Sequence, residues 1–194
     1  TQEFGTGVAT AMSQVAADGL GAPMDVVRFE LGDTDLPNTT SAVGSMGATM
    51  VSSAVHNAAT TLRNDLIALA VNDNASPLHG LSPSSVRVGD GRMTSTLDPS
   101  IGESYADALQ RNRLLDMEAL GSWTPPPFDT PHGLLTFGAQ FAEVAVDPEL
   151  GLVRVRHLVG AFAPGRVLNP MLARSQLMGG MLWGMSQALL EGNH

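Results

Sequence analysis

Residues 136–159 have the sequence TFGAQFAEVAVDPELGLVRVRHLV, which carries the pattern of a β-hairpin. Two sets of side chains alternate from Thr136 to Val146, the period of a strand with two distinct faces. Asp147-Pro148-Glu149-Leu150-Gly151 has the composition of a turn, and a second strand pattern follows over Leu152–Val159. We therefore predict an antiparallel pair of strands joined by this turn.

A helix is predicted after the hairpin, and two more are predicted near the start of the chain. Asn169-Pro170 is a typical helix start, with Asn as N-cap and Pro at the first helical position, and the helical pattern continues to about Glu191. Apolar residues at spacings of three and four predict helices over 8–20 and 48–71. Gly19, Gly21 and Pro23 form the stop signal of the first of these helices.

The remaining segments predict short elements. Residues 26–31 have the composition of a strand, and Asp90-Gly91 is a tight-turn pair inside a predicted hairpin over 86–94. A short helix is predicted from Ser100 or Gly102 through Leu109, and Pro125–Pro127 favour an extended polyproline segment. These elements indicate an α+β (mixed α/β) fold with helices packed on mixed sheets. We divide the chain into segments 1–72, 73–134 (hairpin and Pro-rich connection) and 135–194.

Composition excludes several classes of protein. Of 194 residues, 43% are hydrophobic and 15% are charged, which argues against disorder. The net charge of −9 and the lack of a basic run argue against nucleic-acid binding. No apolar run reaches the roughly 20 residues that span a bilayer. Since the chain contains no Cys, an iron–sulfur cluster would need ligands from elsewhere.

Small-residue turns precede three of the predicted helices. They are Gly5-Thr6-Gly7, Gly44-Ser45-Met46-Gly47 and Asn169-Pro170. The unpaired N–H groups at a helix start attract anions, and glycine permits close approach of a ligand to the backbone. A large anionic ligand is therefore one interpretation. The other is that Gly and Ser are ordinary helix-start residues.

The last predicted helix has an unusual composition. Gln176 precedes Gly179, Gly180 and Gly184, although each glycine costs about 1 kcal/mol relative to Ala inside a helix. Close contact with a cofactor would explain these glycines, and tight helix packing is the alternative, above all for Gly184. A buried Gln176 amide would need a hydrogen-bond partner, which a ligand could supply.

Other sites have little support. A dinucleotide-binding Rossmann unit would use Gly5, Gly7 and Glu30, but Thr10 stands where its fingerprint requires Gly or Ala. No Gly-x-Ser-x-Gly elbow or Walker-type loop occurs. No two histidines have the spacing of a helical metal site; they are His56, His79, His132, His157 and His194.

Several ordered blocks resemble the molybdenum-cofactor-binding subunit of the xanthine dehydrogenase/aldehyde oxidase family, in particular bacterial aldehyde oxidoreductases. The blocks are Glu3–Gly7, Gln14–Ala17, Gly32–Pro37, Gly44-Ser45, Phe141–Asp147, Gly165–Pro170 and Ala173–Gln176 with Gly179, Gly180 and Gly184. The resemblance implies a molybdopterin cofactor, possibly in the cytosine dinucleotide form, with no protein ligand to the metal.

By the same resemblance, Gly5-Thr6-Gly7 would contact the pterin, with Thr6 where relatives often have Gln. Gly44-Ser45-Met46-Gly47 would pass near the molybdenum and the phosphate, and Gln176 would bind the cofactor by hydrogen bonds. Ala163-Pro164 stand before Gly165 where many relatives have Asp.

The implied reaction is hydroxylation of an aldehyde or an aromatic N-heterocycle with water as oxygen donor. Iron–sulfur clusters and FAD are expected on partner subunits or domains. The chain begins without Met and lacks the family's downstream Gly-Glu base, so we expect an internal fragment that is inactive alone and needs the rest of its subunit. The alternative is a non-catalytic structural domain.

Overall fold

The computed structural model describes residues 1–125, 127 and 135–192. It divides into two compact units, Thr1–Pro126 and Pro127–His194. Helices and antiparallel sheets make up both units, so the α+β class is confirmed. The expectation of mixed sheets is wrong, because every strand pair in the described residues is antiparallel. The predicted polyproline segment includes Pro126, which lies outside the described residues, as do His132 and His194.

Two helices pack against each other in the first unit. Helix α1 spans Val8–Leu20 and helix α2 spans Gly47–Asn72, as the apolar spacing predicted. A Cβ added to Gly19 of α1 would lie 2.7 Å from the Cβ of Ala59 in α2, so the helices cross at close range. Helix α1 ends at Gly21, which has a left-handed φ of 62°, and this confirms the Gly stop signal.

A three-stranded sheet completes the first unit. Strands β1 (Val86–Gly89), β2 (Arg92–Ser95) and β3 (Gly102–Ser104) lie in that order. The predicted hairpin is confirmed, and both Asp90 and Gly91 have positive φ, at 52° and 70°. The main core lies between this sheet, α2 and the helix that follows β3; its buried residues are Leu66, Ile67, Ala70, Val71, Leu78, Val86, Met93 and Ala108.

Helix α3 spans Tyr105–Arg111 and begins later than the sequence predicted. Residues 102–104 pair with β2 instead of joining the helix, and a Cβ on Gly102 would lie 2.4 Å from the Met93 carbonyl oxygen. The start is fixed by a capping box. Ser104 Oγ accepts the Asp107 N–H at 3.1 Å, and Asp107 Oδ2 accepts the Ser104 N–H at 3.1 Å.

The capping box gives a testable contribution to stability. We expect Ser104→Ala to lower the free energy of unfolding of the first unit by about 1 kcal/mol, because the N3 amide loses its acceptor. Hydrogen exchange of the α3 amides in the full-length protein measures this loss. Ser104→Thr keeps a hydroxyl acceptor and serves as the control; equal exchange in the Ala and Thr variants would contradict the role of the cap.

The predicted strand over 26–31 is wrong. Met24–Val26 form a 3-10 turn, and residues 27–31 belong to no strand. No described strand pairs with this segment, and Val26 is 70% exposed. β-Branched composition favours a strand only where a neighbouring strand and a packed face are present, and the described residues provide neither here.

The second unit is a strand pair with one long helix. Strand β4 (Phe137–Asp147) pairs with β5 (Leu152–Ala163), with a register shift at Glu143/Val144, and helix α4 spans Pro170–Leu190. The hairpin, the helix and its Asn169 cap, which accepts the Leu172 N–H at 2.9 Å, are confirmed. A Cβ on Gly160 would lie 2.9 Å from Met181 Sδ, so α4 packs on β5.

Candidate functional site

The Gly5-Thr6-Gly7 turn leads into α1 through backbone angles that favour glycine. Gly5 and Gly7 have φ of 102° and 79°. The sequence predicted open N–H groups here, but the chain supplies its own anion. The Glu3 carboxylate accepts the N–H groups of Gly5 at 2.8 Å, Gly7 at 3.1 Å and Ala9 at 3.2 Å. These three N–H groups are therefore not free to bind an outside anion.

The charge state of Glu3 follows from these contacts. Desolvation acts to raise the pKa of Glu3, but the hydrogen bonds from Ala9, Gly5, Gly7 and Thr6 together outweigh it. The pKa of Glu3 is lowered below its ordinary value as a result. The carboxylate is therefore held in its charged form at the positive end of the α1 dipole.

The second glycine turn differs from the first. Gly44 and Ser45 have left-handed φ of 59° and 57°, and the Met46 N–H donates to the Val43 carbonyl at 3.2 Å. Helix α2 then begins at Gly47 with no hydrogen bond from an N-cap side chain, and a Cβ on Gly47 would meet no described atom within 4 Å. This helix start therefore has the room and the donors to receive an anion.

The structure brings these two turns of the first unit together through the N-terminal residues. Gln2 Oε1 accepts the Ala42 N–H at 2.8 Å, two residues before Gly44. The Thr1 nitrogen donates to the Thr39 hydroxyl. Residues 1–2 therefore run beside residues 39–42, although the two segments are far apart in sequence.

Gln176 lies on an exposed part of α4 in the second unit. Gly180, one turn later, is also exposed, as are Gly179 and Gly184. A Cβ added to any of these three glycines would meet no atom within 4 Å outside the helix backbone in the described part of the unit. Tight packing within this unit, the alternative considered for Gly184, therefore does not explain the glycines.

A separate apolar cleft of about 540 Å³ lies between β5 and α4. Leu158 and Phe162 line it from the strand, and Leu177 and Met181 line it from the helix. Gln176 lies one residue before Leu177, about 100° around the helix, and is not part of the cleft wall. The cleft and the Gln176–Gly180 face are therefore distinct features of the same helix.

Ionisable groups elsewhere in the described residues do not form a metal site. His157 Nδ1 lies 2.9 Å from Glu143 Oε2, and both side chains are largely exposed on paired strands. Within residues 1–125, 127 and 135–192, no three His, Asp or Glu side chains lie close enough to hold a metal ion. No helix in the same part of the chain is long and apolar enough to cross a bilayer.

A family model described as the molybdopterin cofactor-binding domain matches residues 1–193. The chain belongs to this family. It is 35% identical over 190 residues to the aldehyde oxidoreductase molybdenum-binding subunit PaoC of Escherichia coli strain K12, covering 97% of this chain and 24% of that protein. It is 26% identical over 200 residues to the nicotine 6-hydroxylase large subunit of Paenarthrobacter nicotinovorans, covering 96% of this chain and 23% of that protein.

Solved structures agree with this assignment at the level of the fold. The crystal structure of quinoline 2-oxidoreductase from Pseudomonas putida 86 matches with a TM-score of 0.77 at 24% identity, covering 93% of this chain and 23% of that one. This molybdopterin cofactor-binding domain thus spans about a quarter of the length of the relatives it matches.

The side chains and turns described above suit a pterin-phosphate ligand. The uncapped start of α2 offers donors that match a phosphate, and the exposed Gln176 carboxamide can both donate and accept, as the polar edge of a pterin requires. The open Cβ positions at Gly47 and Gly180 leave room for close approach. The α2 start and Gly47 belong to the first unit, whereas Gln176 and Gly180 belong to the second.

Proposed function

We propose that this chain supplies part of the molybdopterin-binding surface of a molybdenum hydroxylase that oxidises aldehydes or aromatic N-heterocycles with water as oxygen donor. The match of the molybdopterin cofactor-binding family model to residues 1–193 carries this proposal. The names of the relatives, which include an aldehyde oxidoreductase and a nicotine hydroxylase, support the substrate class.

The residues proposed to contact the cofactor are Gly5, Thr6, Gly7, Gly44, Ser45, Met46, Gly47 and Gln176. The α2 start, with the turn before it, would take the phosphate, and Gln176 would orient the pterin by hydrogen bonds. The bound cofactor supplies the redox chemistry, while the protein binds it, orients it and excludes water. We further propose the cytosine dinucleotide form of the cofactor, with iron–sulfur clusters and FAD on partner subunits or domains.

Replacement of Gln176 tests the proposal. We expect Gln176→Ala in the full-length subunit to lower bound molybdenum and cytidine nucleotide several-fold, because the cofactor loses the hydrogen bonds of the carboxamide. Metal analysis and nucleotide release measure the two contents in the purified protein. The wild-type subunit is expected to contain both in stoichiometric amounts.

The matched control is Gln187→Ala, which removes another exposed Gln from the same helix. Its cofactor content is expected to equal that of the wild type. A second test variant, Gly44→Val, puts a branched side chain at a left-handed φ of 59° in the proposed phosphate turn. Unchanged molybdenum content in both Gln176→Ala and Gly44→Val would favour a purely structural role for these residues.

A further inference from the structure

A carboxylate of the chain itself occupies the anion-binding start of α1. Glu3 Oε1 accepts two N–H groups, from Gly5 at 2.8 Å and Gly7 at 3.1 Å, and Oε2 accepts a third from Ala9 at 3.2 Å. Free N–H groups at the start of a helix bind phosphate and carboxylate ligands. Since Glu3 uses these three donors and places a negative charge beside them, an outside anion is disfavoured at this turn.

Glu3 also controls the conformation of the turn. Its Oε1 atom lies between the left-handed Gly5 and Gly7, and the Thr6 hydroxyl lies 3.5 Å from the same oxygen. One carboxylate therefore contacts every residue of the Gly5-Thr6-Gly7 turn and the first turn of α1. Without it, a glycine-rich turn of this kind would sample several backbone conformations.

The preceding side chain, Gln2, contacts the segment that leads into the second glycine turn. Gln2 Oε1 accepts the Ala42 N–H at 2.8 Å, just before Gly44. Two consecutive side chains thus make these contacts: Glu3 with the first glycine turn, and Gln2 with the residue two positions before Gly44. Residues 2 and 42 are joined by a direct hydrogen bond, so this short segment links the two turns in addition to the packing of α1 on α2.

We propose that Glu3 and Gln2 are positioning residues for the cofactor: Glu3 replaces an outside anion at the start of α1 and fixes the Gly5-Thr6-Gly7 turn, and Gln2 fixes that turn relative to the Gly44 turn. The first turn therefore meets the cofactor through Thr6 and glycine surfaces and not through its amide donors. The role of these residues in cofactor binding rests on the proposed function, whereas the contacts of Glu3 with the turn do not depend on it.

Hydrogen exchange, with acetate added to replace the lost carboxylate, tests whether Glu3 stabilises the Gly5-Thr6-Gly7 turn. In the full-length protein, Glu3→Ala is expected to speed exchange of the Gly5, Gly7 and Ala9 amides about tenfold, because three donors lose a charged acceptor. Added acetate should restore protection by binding the freed amides, whereas an equal concentration of chloride should not. Glu118→Ala removes an exposed carboxylate and is the control. Unchanged exchange in Glu3→Ala would overturn the proposal.

The pH dependence separates a charged acceptor from a packing role. Because the pKa of Glu3 is lowered from 4.5, the protection it confers is complete above pH 4.5 and is lost as the pH falls through the lower folded value. At each pH the ratio of exchange rates between Glu3→Gln and the wild type should therefore shrink toward unity below pH 4.5. A ratio that does not change with pH would overturn the role of the charge.

The rate at which the protein loses its cofactor tests whether Glu3 and Gln2 position that cofactor. Loss of bound molybdenum during incubation at a fixed temperature should be several-fold faster in Glu3→Ala and Gln2→Ala than in Glu118→Ala, and acetate should slow it in Glu3→Ala only. Equal release rates in all variants would overturn the positioning role and leave the proposed function intact. A wild-type protein without molybdenum would overturn the proposed function, and the exchange measurements would still decide whether Glu3 holds the turn.

Discussion

Replacing Arg111 with Met is expected to lower the free energy of unfolding of the first unit by about 3 kcal/mol, the lower end for removing one partner from a buried ion pair, because the Arg111 side chain is 25% exposed. Arg111 donates to both oxygens of Glu103, from Nη1 at 2.5 Å and from Nη2 at 2.9 Å. The Glu103 side chain is only 4% exposed. In the variant this carboxylate stays buried, and of its side-chain hydrogen bonds in the described residues it keeps the one from the Ser76 hydroxyl, 2.5 Å long.

The same arginine joins three elements of the first unit. Its Nε atom donates to Asp73 after the end of α2, while Glu103 belongs to β3 and Arg111 itself ends α3. The hydrogen bond with Glu103, followed by that with Asp73, raises the pKa of Arg111, so the guanidinium stays charged throughout the accessible pH range. Loss of Arg111 is therefore expected to loosen the contact of α3 with α2.

Thermal and denaturant unfolding of the full-length protein, with hydrogen exchange of the α3 amides, measure the effect of Arg111→Met. The control is the double variant Arg111→Met/Glu103→Leu, which removes both charges of this pair and leaves Asp73 its hydrogen bonds from Ala75 and Asn112. It should recover much of the loss, because replacing both partners with apolar groups is often near neutral. Arg111→Lys should recover little, since an ammonium cannot form the paired contact. A loss below about 1 kcal/mol in Arg111→Met would contradict a structural role of the pair.

Local signals in the sequence were sufficient to predict most of the helices and strands. Apolar spacing marked α1 and α2, Asp90-Gly91 marked the first hairpin, and Asn169-Pro170 marked the start of α4. Each signal acts within one or two turns of chain, so its physical cause is present in the segment itself. The strand predicted over 26–31 failed for the opposite reason, because a strand depends on a partner that the segment does not contain.

The tertiary polar network was not predicted. Asp73 and Arg111 are 38 residues apart, and nothing in the composition around either residue indicates the contact.

The features of the candidate site differ in how far the sequence indicates them. Glycine turns and Gln176 stand out in the sequence, but the role of Glu3 depends on the backbone angles of Gly5 and Gly7. A carboxylate just before a helix start is a weak indication of a capping interaction, and the sequence carries this indication at Glu3.

Gly121→Ala is expected to lower the stability of the first unit by up to about 3 kcal/mol, the upper end for overpacking of a close contact. A Cβ at Gly121 would lie 2.1 Å from the Ala54 carbonyl oxygen and 2.4 Å from the Ala58 nitrogen. Both are backbone atoms inside α2 and cannot move without breaking the helix. The segment around Gly121 must therefore leave α2, and the hydrogen bond from Asn57 Nδ2 to the Ser122 carbonyl, 2.8 Å long, would be lost with it.

Thermal unfolding and limited proteolysis near residue 121 measure this change in the full-length protein. Gly89→Ala is the matched control, because a Cβ there meets no described atom within 4 Å. A second comparison separates backbone from side-chain clashes. Ala58→Gly should not rescue Gly121→Ala, since the closest contacts of the added Cβ are with backbone atoms. By contrast, Ala59→Gly should rescue Gly19→Ala, because the close contact there is the Ala59 Cβ at 2.7 Å. Full rescue of Gly121→Ala by Ala58→Gly would mean that the segment can shift along α2, and the backbone contact would then not be what requires glycine at this position.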